Sequence, residues 1–247
     1  MDRMIYLAMA GAQQLLQQQA VAAHNLANVG TTGYKAETEA FRVVPVSGPG
    51  LPTRAYALDS TTGADLAPGT LQVTGRDLDV AVEGPGFFAV EGLDGTEAYT
   101  RDGGFDVSPD GQLVTRGGLT VLGEGGPITV PPDSRIQIGR DGTVSATTPG
   151  QSASVNVLGK LKLVNPAPNE VQKGPDGLFR MRSGQPADAD PVVAVAAGAL
   201  ESSNVNAVSA MVDMINLSRN FEMQMKLLQN ADGNEQRANQ LLAASGG

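Results

Sequence analysis

Reactive side chains are scarce in this sequence. Its 247 residues include one histidine, His24, and no cysteine. The lack of cysteine excludes disulfides, thiolate metal sites and a cysteine nucleophile, and a Ser-His-Asp triad would have to use His24. Because no second histidine accompanies it, we expect His24 to pack or hydrogen-bond rather than to bind a metal or catalyse a reaction.

Two pairs of acids have a spacing that can serve acid–base chemistry. Asp77 and Asp79 are two residues apart, as are Asp188 and Asp190. A β-strand places both members of such a pair on one face, where general acid–base catalysts can lie. Solvated acids at a strand edge show the same spacing, and we favour that interpretation. The sequence therefore predicts no catalytic, cofactor-binding or metal site, and a protein that is not an enzyme.

The overall charge also narrows the possible partners. The 17 Lys and Arg against 26 Asp and Glu give a formal net charge of −9. An acidic chain without a basic block is a poor match for nucleic acid. No apolar stretch reaches the roughly 18 residues of a membrane span, so we expect no direct membrane insertion. The first apolar run ends in a series of glutamines, which predicts export, if any, without a cleaved signal peptide.

These sparse side chains are carried by three different kinds of segment, of which the first is helical. Between Met4 and Val29 there is no proline and no charged residue apart from His24. Apolar residues recur there every three or four positions, which is the pattern of a helix with a heptad seam. A second stripe, Met9, Leu16 and Ala23, lies beside the seam. We expect Gly30 to cap the end of this helix.

The central segment, from Ala36 to about Ser202, follows strand periodicity. Apolar residues alternate with polar ones, and Asp-Gly pairs separate the short runs at Asp94, Asp110, Asp141 and Asp176. These pairs are typical of hairpin turns. We predict an antiparallel β-domain.

A second helical pattern begins near Asn204 and keeps heptad spacing as far as Leu228. The predicted fold is therefore α+β, with N- and C-terminal helices pairing as a coiled-coil-like domain beside a central antiparallel all-β domain. Each helix has more apolar surface than one partner can cover, so we predict assembly with other subunits. The candidate subunit-interface residues are Ile5, Ala8, Ala12, Leu15, Leu16, Ala22, Leu26, Val29, Val208, Met211, Val212, Met214, Ile215, Phe221, Met225 and Leu228.

Three blocks of the sequence resemble a known family. The segment 23–35 (AHNLANVGTTGYK) resembles the N-terminal signature of the bacterial flagellar basal-body rod and hook proteins, although that family usually has Asn at the position of His24. The segments 69–88 and 99–115 are similar to its β-domain motifs, and 201–215 is similar to its C-terminal signature. The family-motif residues are Asn25, Leu26, Ala27, Asn28, Thr32, Gly33, Asn204, Val205 and Asn206.

The resemblance implies a structural subunit of the flagellar rod, the periplasmic drive shaft that also encloses an export channel. The opening residues and the short length are more like the proximal rod subunits than the distal one, which remains an alternative. The implied partners are other rod subunits, copies of the same chain and, during secretion, the flagellar type III export gate. A secreted β-domain that binds a ligand, or a hydrolase, is the alternative from another class.

The same resemblance implies a division of the chain. Residues 1–35 and 204–247 would form the helical inner tube, 36–70 and about 186–203 a connecting region, and 71–185 the β-domain.

Overall fold

A computed structural model describes residues 2–45, 55–147 and 155–245; the side chains of 2–7, 40–45, 55–62, 235, 238, 239 and 241–245 lie outside this description. The chain forms two compact units. The helical unit consists of Met1–Ala27, Thr38–Thr62 and Asn206–Gly247. The β unit consists of Asn28–Glu37 and Gly63–Val205.

The helical unit contains helix α1 (Asp2–Ala27) and helix α2 (Ala207–Ser245), which pack against each other. It also contains most of strands β1 (Glu37–Pro45) and β2 (Ala55–Ala64), which pair as a two-stranded sheet. The two terminal helices confirm the sequence prediction. Both β1 and β2 fall within the predicted connecting region 36–70, of which residues 46–54 lie outside the description.

Different hydrogen bonds mark the start of α2 and the end of α1. Asn206 caps the start of α2, since its side-chain oxygen accepts a hydrogen bond from the Ser209 amide at 3.0 Å. At the end of α1 the predicted glycine cap is wrong. The helix stops at Ala27, the next turn is closed by the Thr31 amide on the Asn28 carbonyl, and the positive φ belongs to Gly33 instead of Gly30.

The described residues of the β unit form sixteen further strands, most of them short. They are β3 (Leu71–Val73), β4 (Val80–Glu83), β5 (Phe87–Glu91), β6 (Glu97–Thr100), β7 (Phe105–Val107), β8 (Leu113–Thr115), β9 (Leu122–Gly123), β10 (Gly126–Pro127), β11 (Arg135–Ile138), β12 (Thr143–Thr147), β13 (Val155–Lys160), β14 (Leu163–Val164), β15 (Val171–Lys173), β16 (Phe179–Met181), β17 (Ala194–Ala197) and β18 (Ala199–Glu201).

These strands pair antiparallel, as predicted. The largest sheet has the order β14-β5-β6-β16-β15, and a three-stranded sheet has the order β11-β12-β13. Two ribbons join strands that are far apart in sequence: β3 pairs with β18, and β4 pairs with β17. The last strands of the unit therefore return to the first ones.

The four Asp-Gly pairs are hairpin turns, as the sequence predicts. In each turn the glycine has a positive φ, between 72° and 83°, which residues other than glycine rarely adopt. In three of them the aspartate side chain accepts the amide two residues later, as Asp94 does from Thr96 at 3.1 Å. One turn geometry thus serves four different hairpins.

The apolar core lies in the β unit. Its larger cluster surrounds Phe88 and Phe105, whose rings meet edge to face at 5.2 Å between centroids. A smaller cluster surrounds Phe87 and Tyr99. Among the described side chains of the two helices, only those of Ala12 and Ala210 are fully buried apolar groups. The helices therefore contribute little to the core of the isolated chain.

Candidate subunit interface and helix junction

The predicted interface residues of α1 divide between two faces. Ala12 is buried, and the side chains of Ala8, Leu15, Ala22 and Leu26 are half-buried at the 3-4 spacing of the seam. Val29, just after the helix, is also half-buried, whereas Leu16 is 50% exposed. The side chain of Ile5 lies outside the description. One face of α1 is thus covered and a second, uncharged face is open to solvent.

The predicted residues of α2 divide in the same way. Met214, Phe221 and Leu228 are half-buried. They belong to a strict heptad series of covered positions: 207, 210, 214, 217, 221, 224, 228 and 231. The other predicted residues, Val208, Met211, Val212, Ile215 and Met225, are exposed.

The covered faces of the two helices approach closely at Gly11. A Cβ atom added there would lie 2.8 Å from Gln224 Nε2, so a larger residue would push against the facing side chain. The groove around this contact is lined by Gly11, Gln14, Leu15, Gln18, Asn220, Met223, Gln224 and Leu227. Amide side chains therefore make up half of this lining.

Among the described side chains, those of Val208, Met211, Val212 and Ile215 form an exposed apolar stripe on α2. Val208 is 71% exposed and Ile215 is 54% exposed, with Met211 and Val212 between them. At roughly 25 cal/mol per Å² of apolar area, such a stripe gains free energy when a partner covers it. Its position on a long helix fits a helical partner.

The family-motif residues lie at the helix junction, the two stretches where the chain passes between the helical unit and the β unit. Asn25, Leu26 and Ala27 form the last turn of α1, and Asn28 begins the turn that follows. Asn206 caps α2, and the amide of Val205 donates to the Ser203 hydroxyl at 3.2 Å. Thr32, in the segment that follows α1, is half-buried. Both signature segments therefore belong to the helix junction.

Gly33 and Asn204 connect the segment after α1 to the segment before α2 inside the β unit. Gly33 has φ +67°, its amide donates to the Glu201 carbonyl at 2.8 Å, and a Cβ atom added there would lie 2.3 Å from Arg101 C. The Asn204 side chain accepts the Ala36 amide at 2.7 Å and donates to the carbonyl of Asp65 at 2.8 Å. Asn204 therefore ties the segment before α2 to the segment after α1.

A buried cluster of charged side chains, which the sequence analysis did not predict, lies beside Gly33 and Asn204. Lys35 Nζ is 2.6 Å from Glu201 Oε1, and Arg101 Nη1 is 2.8 Å from Glu201 Oε2; each of the three side chains is at most 2% exposed. Burial lowers the pKa of Lys35, while its bond to Glu201 opposes that shift. All three residues belong to the sequence blocks that resemble the family. Because 66 and 100 residues separate them along the chain, no local pattern predicted that they contact each other.

Outside this cluster, another lysine, Lys173, lies over the aromatic ring of Tyr34. Lys173 Nζ is 3.8 Å from the ring centroid, donates to the Lys35 carbonyl and pairs with Glu37 at 3.1 Å. Burial raises the pKa of Tyr34 to about 12, and the charge on Glu37 adds to the shift. Strand β15, which carries Lys173, is thereby tied to the segment that follows α1.

The two acids of the first pair, Asp77 and Asp79, have different arginine partners. Asp79 is buried and accepts ion pairs from Arg76 and Arg116, at 3.2 and 2.8 Å, so the expectation of a solvated acid is wrong at this position. Asp77 is exposed and pairs with Arg135 at 2.9 Å. A buried carboxylate needs such partners because desolvation disfavours its charge.

In the second acid pair, Asp190 accepts a hydrogen bond from the Val192 amide at 2.9 Å. The side chain of His24 is exposed near the end of α1. Among the residues with described positions, no three His, Asp or Glu side chains gather closely enough to hold a metal ion. None of the described helices combines the length and apolar character needed to cross a bilayer.

Three family profiles match this chain, in the order of its own segments. "Flagella basal body rod protein" matches residues 5–35, "Flagellar hook protein FlgE/F/G D1 domain" matches 81–146, and "Flagellar basal body rod FlgEFG protein C-terminal" matches 196–241. The first and last profiles include the junction residues Gly33 and Asn204. The middle one includes Arg101.

Full-length relatives agree with the profiles. The flagellar basal-body rod proteins FlgF of Escherichia coli and of Salmonella typhimurium are each 50% identical to this chain over 252 aligned residues, covering 99% of the chain and 100% of the relative. A FlgG rod protein of Buchnera aphidicola is 34% identical, covering 90% of the chain and 92% of the relative. The predicted resemblance is confirmed: the chain belongs to the flagellar basal-body rod proteins, is FlgF-like within them, and is a structural subunit of the basal body.

Proposed function

We propose that this chain polymerises through α1 and α2 to form part of the proximal rod, a drive shaft across the periplasm that encloses the export channel and transmits torque for motility. The observation that carries the proposal is the apolar stripe of α2 from Val208 to Ile215, which the chain's own α1 does not cover. Coiled-coil-like pairing of the covered faces would leave this stripe for neighbouring subunits.

The proposed partners are copies of this chain and other rod subunits, proximal and distal, with the type III export gate as a partner during secretion. A distal, FlgG-like role is less favoured, since the FlgG relative is 34% identical and the FlgF relatives are 50% identical. The structural role of the relatives supports a function without catalysis.

The proposed division of labour follows the sequence. Residues 1–35 and 204–247 would build the inner tube, 36–70 and about 186–203 would connect it to the outer layer, and 71–185 would form the β-domain. In support of this arrangement, the helices carry few charges and little buried core, while the β unit has its own core.

A matched pair of variants tests the proposal. Ile215→Asp places a charge in the stripe, and Leu93→Asp makes a comparable change in a turn of the β unit, where Leu93 is 91% exposed. Because both side chains are exposed in the single chain, the free energy of unfolding of each variant should lie within about 0.5 kcal/mol of the wild-type value.

The readout is complementation of a deletion strain, scored by motility and by electron microscopy of isolated basal bodies. We expect Leu93→Asp to restore complete rods and Ile215→Asp to leave them truncated, because an unpaired charge is costly to bury between subunits. Complete rods with Ile215→Asp would contradict assembly through this stripe.

A further inference from the structure

Strand β3 is an exposed sheet edge without charge. Thr70 and Thr74, which flank β3, bond to the residues that flank β18: Ser202 N donates to Thr70 O at 2.9 Å, and Thr74 N donates to Gly198 O at 2.8 Å. By strand alternation, the amides and carbonyls of Leu71 and Val73 point to the opposite edge, with which no described strand pairs. The side chains of Leu71 and Val73 are 49% and 88% exposed.

Strand β13 supplies a second edge of the same character. It is the outer strand of the β11-β12-β13 sheet, and Val155 and Val157 at its start are 59% and 68% exposed. The sequence has no charged residue from 142 to 159, nor from 66 to 75 around β3. Natural proteins usually protect exposed strand edges with charges or proline, so two uncharged apolar edges on one unit need a reason.

Charge limits where two β units can meet. The unit 28–37 plus 63–205 carries 11 Lys and Arg against 19 Asp and Glu, a net charge of −8. Two copies therefore repel each other through most of their surface. The edges of β3 and β13 are two strips of this unit where an apolar contact can form without bringing acids together.

We propose that the edge at Leu71–Val73 of one copy docks against the edge at Val155–Val157 of the next copy. The two edges differ and lie on the same unit, so the contact is heterologous and leaves a free edge at each end. Backbone hydrogen bonds between strands supply affinity, and the facing valine and leucine side chains bury apolar area. This inference rests on the proposed function, to which it adds a contact between outer β units.

The cysteine-free chain allows a direct cross-linking test. Two variants, Val73→Cys and Val157→Cys, are expressed together with tags of different length in the deletion strain, and basal bodies are isolated and mildly oxidised. A disulfide requires Cα atoms about 4.4–6.8 Å apart, so it reports facing positions. The control pair is Val192→Cys with Val157→Cys, since Val192 is 85% exposed and lies on neither edge.

We expect a mixed-tag dimer from the 73–157 pair and none from the 192–157 pair. Both variant chains present in basal bodies without the 73–157 dimer, or with 73–73 dimers instead, would overturn the proposed contact and leave the rod function intact. Absence of the wild-type chain from basal bodies would overturn the proposed function itself.

Lysine variants give a second measurement. Val73→Lys and Val157→Lys place a charge in each strip, and Val192→Lys is the control. All three variants should have a free energy of unfolding close to that of the wild type, because the substituted side chains are exposed. We expect at least a tenfold loss of incorporation into basal bodies for the first two, when each competes with wild-type chain, and no loss for Val192→Lys. Equal incorporation of all three would also overturn the contact.

Discussion

Lys35 Nζ and Glu201 Oε1 lie 2.6 Å apart although 166 residues separate them in the chain. One belongs to the segment that leaves α1, the other to the last strand before α2. Arg101 from the middle of the β unit completes the cluster. The segment that follows α1 and the strand that precedes α2 are therefore tied to one buried carboxylate inside the β unit.

The first prediction concerns this carboxylate. Glu201→Gln should lower the free energy of unfolding by about 3–5 kcal/mol, since it leaves Lys35 and Arg101 buried without a counter-charge. Urea unfolding of the full chain measures the effect. Glu83→Gln is the control, because Glu83 pairs with Arg140 at 2.7 Å at the surface and should cost less than about 1 kcal/mol. Equal costs for the two variants would show that the cluster does not stabilise the fold.

The second prediction concerns the turn after α1. Gly33→Ala should destabilise the chain by about 3 kcal/mol or more, because the new Cβ meets the Arg101 backbone at 2.3 Å and the φ of +67° is unfavourable for alanine. Gly30→Ala, three residues earlier and with nothing within 4 Å of the added Cβ, should change stability by less than about 0.5 kcal/mol. Thermal unfolding of both variants checks this difference, and a neutral Gly33→Ala would disprove the tight contact.

The third prediction is a loss of stability at high pH. Burial raises the pKa of Tyr34 and of Tyr99 to about 12 from the ordinary 10.0. The folded chain therefore keeps protons that the unfolded chain releases between pH 10 and about 12. The stability from each tyrosine is complete below pH 10 and is lost as the pH rises towards 12, an effect of order 2–3 kcal/mol per group.

Ultraviolet titration of tyrosinate checks the third prediction. Tyr34 and Tyr99 of the wild type should both ionise late, and Tyr34→Phe and Tyr99→Phe should each remove one late-ionising group. If both tyrosines titrate near pH 10 in the folded chain, the described burial is incorrect.

The fourth prediction concerns the unassembled chain. With little buried apolar area in the helices and an intact core in the β unit, limited proteolysis of dilute protein should leave a fragment near Ala36–Ser202. Mass spectrometry of the digest identifies its ends. Survival of the full-length chain under conditions that cleave an unfolded control protein would argue against helices that become stable on assembly.

Periodicity predicted the elements better than it predicted their contacts. Heptad spacing gave both helices, and the Asp-Gly pairs gave four hairpins, because these features depend on neighbours in sequence. The pairings of β3 with β18 and of β4 with β17 join distant segments and left no local pattern. The same holds for Asp79, whose partner Arg116 is 37 residues away.

The interface residues show a further limit of the sequence. A heptad pattern identifies apolar positions but does not say which partner covers them. Leu15 and Phe221 are half-buried in the chain itself, whereas Leu16 and Ile215 are exposed. Only the packing of α1 on α2 separates the two sets.

The return of β18 to β3 has a consequence for the order of folding. Thr70 and Ser202, which bond across this ribbon, are 132 residues apart, whereas the Asp-Gly hairpins close over a few residues. A chain that emerges with its N-terminus first can form those hairpins as they appear. It can complete the β unit only when about four-fifths of its length has been synthesised and released. Contacts between residues that are far apart in sequence therefore form last, and they limit the folding rate.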